Sequence, residues 1–231
     1  MKILFTTFKY DNGMQTNGCS FEYYNFYDTM VKMEGGKHEV VYFPLETLLE
    51  VGRDKMNEML LETVRREKPD LCFFMIFTDE IKKETIEEIT KNSGAVTYSW
   101  FSDDQWRFDN YSKYWAPLFH FISTTDSYAP AKYKKIGYNN VIKTQWAVNH
   151  NIFKPQNVPL KYDATFIGQV HGNRERIISA IKNYGVNVEC WGNGWPRGRV
   201  SQDEMIRLIC KSSVNINLTR LSDALTIKGI G

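Results

Sequence analysis

The sequence predicts an α/β protein built from two parallel sheets, and three observations support this prediction. Short apolar runs rich in Val, Ile and Phe alternate with longer amphipathic stretches, a pattern typical of βα units. The alternation stops after Val148, passes through a segment containing Pro155 and Pro159, and then begins again. The length of 231 residues exceeds one small module and is barely enough for two domains. We therefore place a first domain at residues 1–150 and a second domain at residues 151–231.

Six strands and four helices are predicted in the first domain. The strands are the short apolar runs, at Lys2–Phe8, His38–Phe43, Leu71–Phe77, Val96–Phe101, Phe119–Thr124 and Val141–Trp146. The helices are the amphipathic stretches between them, at Phe21–Glu34, Leu45–Glu67, Glu80–Asn92 and Pro130–Ile136. In the second helix, Met56, Met59 and Leu60 recur at spacings of three and four, so this helix covers one face of the sheet.

Three strands and two helices are predicted in the second domain. The strands lie at Tyr162–Gly168, Val186–Trp191 and Val214–Leu218, and the helices at Arg174–Tyr184 and Gln202–Lys211. Three strands are fewer than a complete doubly wound domain contains, so we expect this domain to be incomplete. The exposed apolar edges of an incomplete domain would favour self-association.

Composition argues against several classes of protein. The 29 basic and 27 acidic side chains give a net charge of +2, whereas nucleic-acid binding needs a strongly basic face. No apolar run approaches the roughly 18 residues that cross a bilayer, and the N-terminal run is typical of a strand, not of a signal peptide. The four cysteines are widely spaced and form no CxxC pair, which favours free thiols in a reducing cytoplasm and no zinc site.

Polar residues that follow the predicted strands are the candidate ligand-binding residues, because ligands bind beyond the carboxyl ends of strands in an open α/β sheet. The turn after the first strand contains Asn12, Gly13 and Asn17 and could present backbone N–H groups to a hydroxyl-rich ligand; an ordinary capped loop is the alternative. This turn lacks GxGxxG and GxxxxGK[ST] spacing, which disfavours a dinucleotide site or a P-loop. Asp126 closes the fifth strand.

Adjacent carboxylates, Asp103 and Asp104, follow the fourth strand. They could act as a general base, hold a metal or bind sugar hydroxyls, and Arg107 could keep one of them ionised. A solvated turn with a helix cap is the alternative. Successive strand residues point in opposite directions, which argues against a metal shared by the two carboxylates. We therefore predict no metal site here.

Two glycine-containing turns in the second domain could bind an anionic ligand. The strand that ends at Gly168 leads through His171 to Arg174, where backbone N–H groups and a guanidinium could reach a phosphate. After the next strand, Gly192 lies between two tryptophans, the first of them Trp191, which could form a slot for a planar base or pack in the core.

Together these motifs resemble the CgeB/YkvP spore-protein-type glycosyltransferases over roughly residues 71–231. The resemblance is carried by WFSDDQWRFD at 100–109, STTD at 123–126, QWAVN at 145–149, WGNGW at 191–195 and NINL at 215–218. That family is similar to GT-B glycosyltransferases, in which two Rossmann-like domains face each other across a cleft. The N-terminal domain there holds the acceptor, and the C-terminal domain holds a nucleotide-sugar donor.

The resemblance implies transfer of a sugar from a nucleotide-sugar to a hydroxyl of a glycan, protein or small molecule, without a metal or a cofactor. The implied donor-binding residues are Gly168, His171, Arg174, Trp191, Gly192 and Lys228. Asp103, Asp104 and Arg107 would face the acceptor, and we predict them as the catalytic residues, with Asp103 or Asp104 positioning or deprotonating the acceptor hydroxyl. We add Asn12, Gly13, Asn17 and Asp126 as acceptor contacts. Ile230 stands where the family has an arginine. A non-catalytic fragment that binds a nucleotide or a glycan, and a metal-dependent transferase using the paired aspartates, remain the alternatives.

Overall fold

The computed structural model describes residues 1–218, and the chain divides into two compact units. The first unit is Met1–Asn151, and the second begins at Ile152. Among the described residues, each unit has one parallel β-sheet, with six strands in the first and three in the second. These sheets confirm the predicted α/β class with two parallel sheets. None of the helices in residues 1–218 is long and apolar enough to cross a membrane.

The sheet of the first unit has the strand order β2-β1-β3-β4-β5-β6. Its strands are β1 Lys2–Thr7, β2 Glu39–Pro44, β3 Leu71–Phe74, β4 Val96–Phe101, β5 Phe121–Thr124 and β6 Val141–Lys143. The chain builds outward from β1 in one direction to β2 and in the other direction from β3 to β6. The gap between the carboxyl ends of β1 and β3 is therefore a topological switch point, where open α/β sheets bind ligands.

Helices surround this sheet. The α-helices of the first unit are α1 Asp28–Lys32, α2 Thr47–Val51, α3 Arg53–Glu67, α4 Lys83–Asn92, α5 Asp104–Arg107, α6 Lys113–Trp115 and α7 Ala129–Lys135. Two single π-helical turns, Tyr23–Tyr27 and Phe108–Ser112, precede α1 and follow α5 respectively. Isolated π-helical turns are rare in proteins, and many of those that occur lie at functional sites.

Alternation along the strands divides the apolar side chains between two core layers. In β1, Leu4 packs in one layer, whereas Ile3 and Phe5 pack in the other. All three are at most 3% exposed. A sheet covered on both faces explains why its strands are nearly continuous apolar runs in the sequence.

The predicted helix Leu45–Glu67 is in fact two helices, α2 and α3. Gly52 separates them with φ of +81°, a left-handed conformation that side chains other than glycine adopt at a cost. The strand predicted at Val141–Trp146 is also shorter in the structure, where β6 ends at Lys143. The segment after β6 is irregular, and its Thr144 and Trp146 side chains contact Trp100.

The second unit has the strand order β8-β7-β9. Its elements are β7 Tyr162–Ile167, α8 Arg174–Asn183, β8 Val188–Trp191, α9 Gln202–Cys210 and β9 Ser212–Ile216. Phe166, Ile178 and Val188 form the centre of its core, each no more than 2% exposed. Ser201 caps α9 by accepting a hydrogen bond from the Glu204 N–H, as its residue type predicts.

Candidate functional site

A cavity of about 420 Å³ opens at the switch point of the first unit, between the loops that follow β1 and β3. Aromatic rings and carboxylates line it: Phe8, Tyr10, Phe21 and Phe77 with Asp11, Glu22 and Glu80. A narrower cavity of about 30 Å³ shares Glu22 and Phe77 and extends to Asp103 and Arg107. The shared residues make the two cavities neighbours, and we call the pair the acidic cavity.

The loop after β1 forms one wall of the acidic cavity. An antiparallel bridge between Tyr10 and Cys19 closes the loop at its base. The Ser20 hydroxyl donates to the Phe8 carbonyl at 2.6 Å and accepts from the Tyr23 N–H at 3.0 Å, so it caps the helix that follows. By capping the helix, Ser20 sets the position of its first turn. Glu22 lies in that turn and lines the cavity.

Glu22 is a half-buried carboxylate at the junction of the two cavities. Burial raises its pKa, and the negative charges of Asp11 and Asp103 raise it further. A carboxylate with a raised pKa in a cavity is a candidate general base. Sequence analysis missed Glu22, because it falls inside an amphipathic helical stretch. The signal in the sequence that could have identified Glu22 was its position in the first helical turn after the polar loop that follows β1.

Arg107 holds the opposite wall of the acidic cavity in place. Its guanidinium stacks on the Tyr111 ring, 3.9 Å from the ring centroid, and donates a hydrogen bond to the Phe77 carbonyl. The Tyr111 hydroxyl donates to the Thr78 carbonyl at 2.6 Å. The Glu80 carboxylate accepts from the N–H groups of Phe77 and Thr78. These contacts fix the turn after β3 against the helical segment after β4.

The adjacent aspartates after β4 have different surroundings. Asp103 is half-buried and lines the narrower cavity. Asp104 is 0% exposed and accepts a hydrogen bond from the Tyr133 hydroxyl at 3.0 Å, and burial raises its pKa. The expectation that Asp104 faces the ligand is therefore corrected. The physical reason is that α5 begins at Asp104 and turns this side chain into the core, towards α7.

The predicted acceptor contacts are only partly brought together. Asn12 lines the cavity, with φ of 55° in the left-handed region. Gly13 follows it with φ of +70°, and the Asn17 amide donates to the Asp11 carbonyl at 3.1 Å, which stabilises the loop. Asp126 lies after β5, outside the lining of the acidic cavity, and its carboxylate accepts from the Tyr128 N–H at the start of α7.

In the second unit, Gly168 and Gly192 bring the ends of β7 and β8 into close contact. A Cβ atom on Gly192 would lie 2.2 Å from the Gly168 carbonyl oxygen, so only glycine fits there. The Gly168 N–H donates to the Trp191 carbonyl at 2.8 Å. Both glycines therefore have a packing role, independent of any ligand.

Arg174, the first residue of α8, connects the loop that follows β7 to the segment that follows β9. Its guanidinium donates to the Gln169 carbonyl at 3.0 Å and to the Leu218 carbonyl at 2.8 Å. The Arg174 N–H donates to the His171 carbonyl at 3.2 Å, which closes the turn before the helix. A guanidinium carries five N–H donors, and these two side-chain bonds use two of them.

Trp191 occupies the interior of the second unit. It is 6% exposed and packs between the Tyr162 ring and the Arg197 guanidinium, at centroid distances of 5.4 and 5.1 Å. This burial favours, of the two alternatives for Trp191, packing in the core over a slot for a planar base. The Trp195 indole donates to the Gly168 carbonyl at 2.8 Å. Lys228 lies outside the described residues.

Within residues 1–218, no group of three or more His, Cys, Asp and Glu side chains is placed to hold a metal ion.

Part of the chain matches a known protein family. Residues 174–229 match a family model described as glycosyl transferase-like. The match begins at Arg174 and runs through β8, α9 and β9, so it lies within the second unit. No curated protein matches the chain. The match covers about a quarter of the chain and shows a likeness to glycosyltransferases in that part of the second unit.

Proposed function

We propose that this chain transfers a sugar from a nucleotide-sugar donor to a hydroxyl of an acceptor. The observation that carries the proposal is the glycosyl transferase-like match over residues 174–229. In this proposal the second unit binds the donor and the first unit binds the acceptor. The division of the chain into two compact units, each with its own parallel sheet, supports these separate roles. The resemblance of residues 71–231 to the CgeB/YkvP type is consistent with them.

The donor diphosphate would bind at the start of α8. The first N–H groups of a helix favour anions, and the Arg174 guanidinium lies at the same end. As the bond to the sugar breaks, negative charge develops on the departing diphosphate, and Arg174 would stabilise that charge in place of a metal ion. Lys228 is a second cation for this role. Gly168 and Gly192 would let the backbone approach the ligand closely.

The acceptor hydroxyl would bind in the acidic cavity. Glu22 is the proposed base: its carboxylate takes the hydroxyl proton while the oxygen bonds to the anomeric carbon and the diphosphate leaves. Asp103, which lines the narrower part of the cavity, would accept a hydrogen bond from the acceptor and orient it. Arg107 is a positioning residue, because it holds the wall formed by Phe77.

The test compares Glu22→Gln with the wild-type chain. Release of nucleoside diphosphate from UDP-, GDP- and dTDP-sugars is measured with mixed methyl glycosides as acceptors. We expect Glu22→Gln to lose about 10²- to 10⁴-fold in rate, the usual contribution of a general base, with unchanged diphosphate affinity. Glu84→Gln, which removes an exposed carboxylate from α4, is the matched control. An unchanged rate in Glu22→Gln would remove Glu22 from the mechanism.

A further inference from the structure

The wider of the two cavities that form the acidic cavity is lined by carboxylates and, among the described residues, by no basic side chain. The carboxylates belong to Asp11, Glu22 and Glu80. Arg107 lies in the narrower cavity, where Asp103 lines the same wall. The chain as a whole has a net charge of +2, so this concentration of negative charge is local. A space lined by one sign of charge favours a ligand of the opposite sign, here a cation.

Glu80 supplies this cavity with a buried carboxylate oxygen that has no partner. The residue is 7% exposed, and its Oε2 accepts from the N–H groups of Phe77 and Thr78 at 3.2 and 2.8 Å. Its Oε1 makes no hydrogen bond or ion pair within residues 1–218, and in contrast to the enclosed Asp104 Oδ1 it keeps accessible surface. A buried charge without a counter-charge is costly, and a cation in the cavity would supply that counter-charge.

Four aromatic rings line the same cavity, from Phe8, Tyr10, Phe21 and Phe77. The Phe8 and Phe77 rings follow β1 and β3, and their centroids lie 6.0 Å apart. The face of an aromatic ring attracts a cation. Lys9 makes such a contact with the outer part of this wall, its Nζ 5.4 Å from the Tyr10 centroid, but it does not line the cavity. Rings beside carboxylates therefore favour an ammonium group as the ligand.

The placement of the carboxylates favours an organic cation over a metal ion. In the described part of the chain, no three acidic, His or Cys side chains converge as metal ligands do. The volume of about 420 Å³ lies within the range of small-molecule pockets, about 300–1,000 Å³. An ammonium group on an apolar frame matches both the carboxylates and the rings.

We propose that the wider cavity binds a protonated primary amine with an apolar frame. The charged nitrogen would donate to Glu80 Oε1 and lie near Glu22, while the frame packs against Phe8 and Phe77. In assigning this amine to the acceptor, the inference rests on the proposed function and adds that the acceptor is a cation. A positive charge beside Glu22 favours its ionised form, which is the form that takes up a proton.

Isothermal titration calorimetry tests the charge requirement with two pairs of ligands that differ in charge but hardly in size. They are benzylamine with benzyl alcohol and tyramine with tyrosol, in an amine-free cacodylate buffer at about pH 7, where a primary amine is protonated. We expect each amine to bind about tenfold more tightly than its alcohol, or better, as a charged hydrogen bond provides. Equal affinities, no binding by any of the four, or tighter binding of magnesium chloride than of either amine would overturn the proposal.

A lysine side chain is a second source of the same amine, and Nα-acetyl-lysine methylamide represents it. Tighter binding of this compound than of benzylamine would identify a lysine of a peptide as the ligand. Weaker binding would identify a free small amine. Either result supports the amine site.

Two variants connect the binding to this cavity. Glu80→Gln removes the charge but keeps the shape, and we expect benzylamine affinity to fall about tenfold, equivalent to about 1.4 kcal/mol, with benzyl alcohol unaffected. Phe77→Leu removes the ring but leaves the turn's carboxylate in place, and it should also weaken benzylamine more than benzyl alcohol. Asp79→Asn removes a neighbouring exposed carboxylate that does not line the cavity, and it should bind normally. Normal benzylamine binding by both Glu80→Gln and Phe77→Leu would contradict the assignment.

Failure of this inference is distinguishable from failure of the proposed transfer. Amine binding without any release of nucleoside diphosphate would keep the cation site and remove the transfer reaction. Release with neutral methyl glycosides, by a chain that binds no amine, would keep the transfer reaction and overturn the cation site.

Discussion

The pKa of Glu22 connects the acidic cavity to the stability of the first unit. Burial raises this pKa, with further contributions from Asp11 and Asp103, so the folded chain disfavours the ionised carboxylate. A group with a raised folded-state pKa stabilises the fold below its unfolded pKa, and this stabilisation is lost as the pH rises through the folded-state pKa. Ionised Glu22 therefore lowers the stability of the protein at neutral pH.

Replacing Glu22 with the neutral glutamine should make the chain more stable relative to wild type at about pH 7.5 than at about pH 4, because the ionised fraction of Glu22 falls as the pH falls. Urea unfolding at the two pH values measures this difference. Glu84→Gln, which removes an exposed carboxylate from α4, is the control in the same measurement. An equal effect of Glu22→Gln at both pH values would show that Glu22 does not experience the buried acidic environment.

The hydrogen bond between Asp104 and Tyr133 gives a prediction about the core. Both side chains are fully buried, and Asp104 Oδ1 has no partner within residues 1–218. Tyr133→Phe removes a donor to this carboxylate and should reduce the free energy of unfolding by about 1–3 kcal/mol. Tyr128→Phe, at an 80% exposed position at the start of the same helix, should change it little. Equal unfolding free energies for the two variants would contradict a structural role for Asp104.

For donor binding, the residue that matters most in the proposal is Arg174. Arg174→Ala should weaken nucleoside diphosphate binding by about 1.5–3 kcal/mol, the usual contribution of a charged hydrogen bond. Isothermal titration calorimetry measures the loss, and circular dichroism checks that the variant keeps its helices and strands, since the Arg174 side chain also bonds the Gln169 and Leu218 carbonyls. Arg176→Ala removes an exposed guanidinium two residues later in α8 and serves as the control. Unchanged affinity in Arg174→Ala would place the diphosphate elsewhere.

Elements buried on both sides were the most predictable from the sequence. The strand Val96–Phe101 was predicted to the residue, because its β-branched and aromatic residues are typical of strands and the polar Ser102 and Asp103 follow its last residue. The segment from α5 to α6, with its π-helical turn Phe108–Ser112, was not predicted. It is short and rich in aromatic residues, and its helical pieces have no sustained period of 3.6 residues. Its contacts with the turn after β3 hold it in place.

The candidate site was partly predictable from the positions of the strand ends. The rule that ligands bind beyond strand ends identified Asp103 and Asn12, both of which line the acidic cavity. It also selected Asp104, because a sequence does not show on which side of a starting helix a side chain lies. Glu22 was missed because it belongs to the element after the loop, and its burial depends on tertiary packing.

The contact between the ends of β7 and β8 gives a prediction at the scale of elements. Gly192→Ala would place a Cβ atom 2.2 Å from the Gly168 carbonyl oxygen, so the two strand ends must separate. We expect a loss of unfolding free energy greater than the roughly 1–2 kcal/mol that a left-handed backbone costs an ordinary residue. Gly185→Ala is the matched control, with φ of +85° and no atom within 4 Å of the added Cβ. Similar losses in thermal or urea unfolding would contradict the close contact.

At the scale of the whole molecule, each unit has a distinct proposed role. The first unit has the acidic cavity at the carboxyl edge of its sheet. The second unit has Arg174 at the start of α8 and contains the glycosyl transferase-like match. A ligand that binds only the folded state stabilises it, by about 2.7 kcal/mol at a hundred times its dissociation constant. A nucleoside diphosphate should therefore stabilise the second unit against unfolding.

Calorimetric titration of the chain with UDP, GDP, dTDP and ADP, with and without magnesium, tests the central claim most directly. The proposed metal-free donor site predicts that one diphosphate binds selectively and with the same affinity in both conditions, because Arg174 and Lys228 take the place of a metal. The same diphosphate should bind Arg174→Ala more weakly. Failure of all four to bind, or binding that requires magnesium, would contradict a metal-free donor site in this chain.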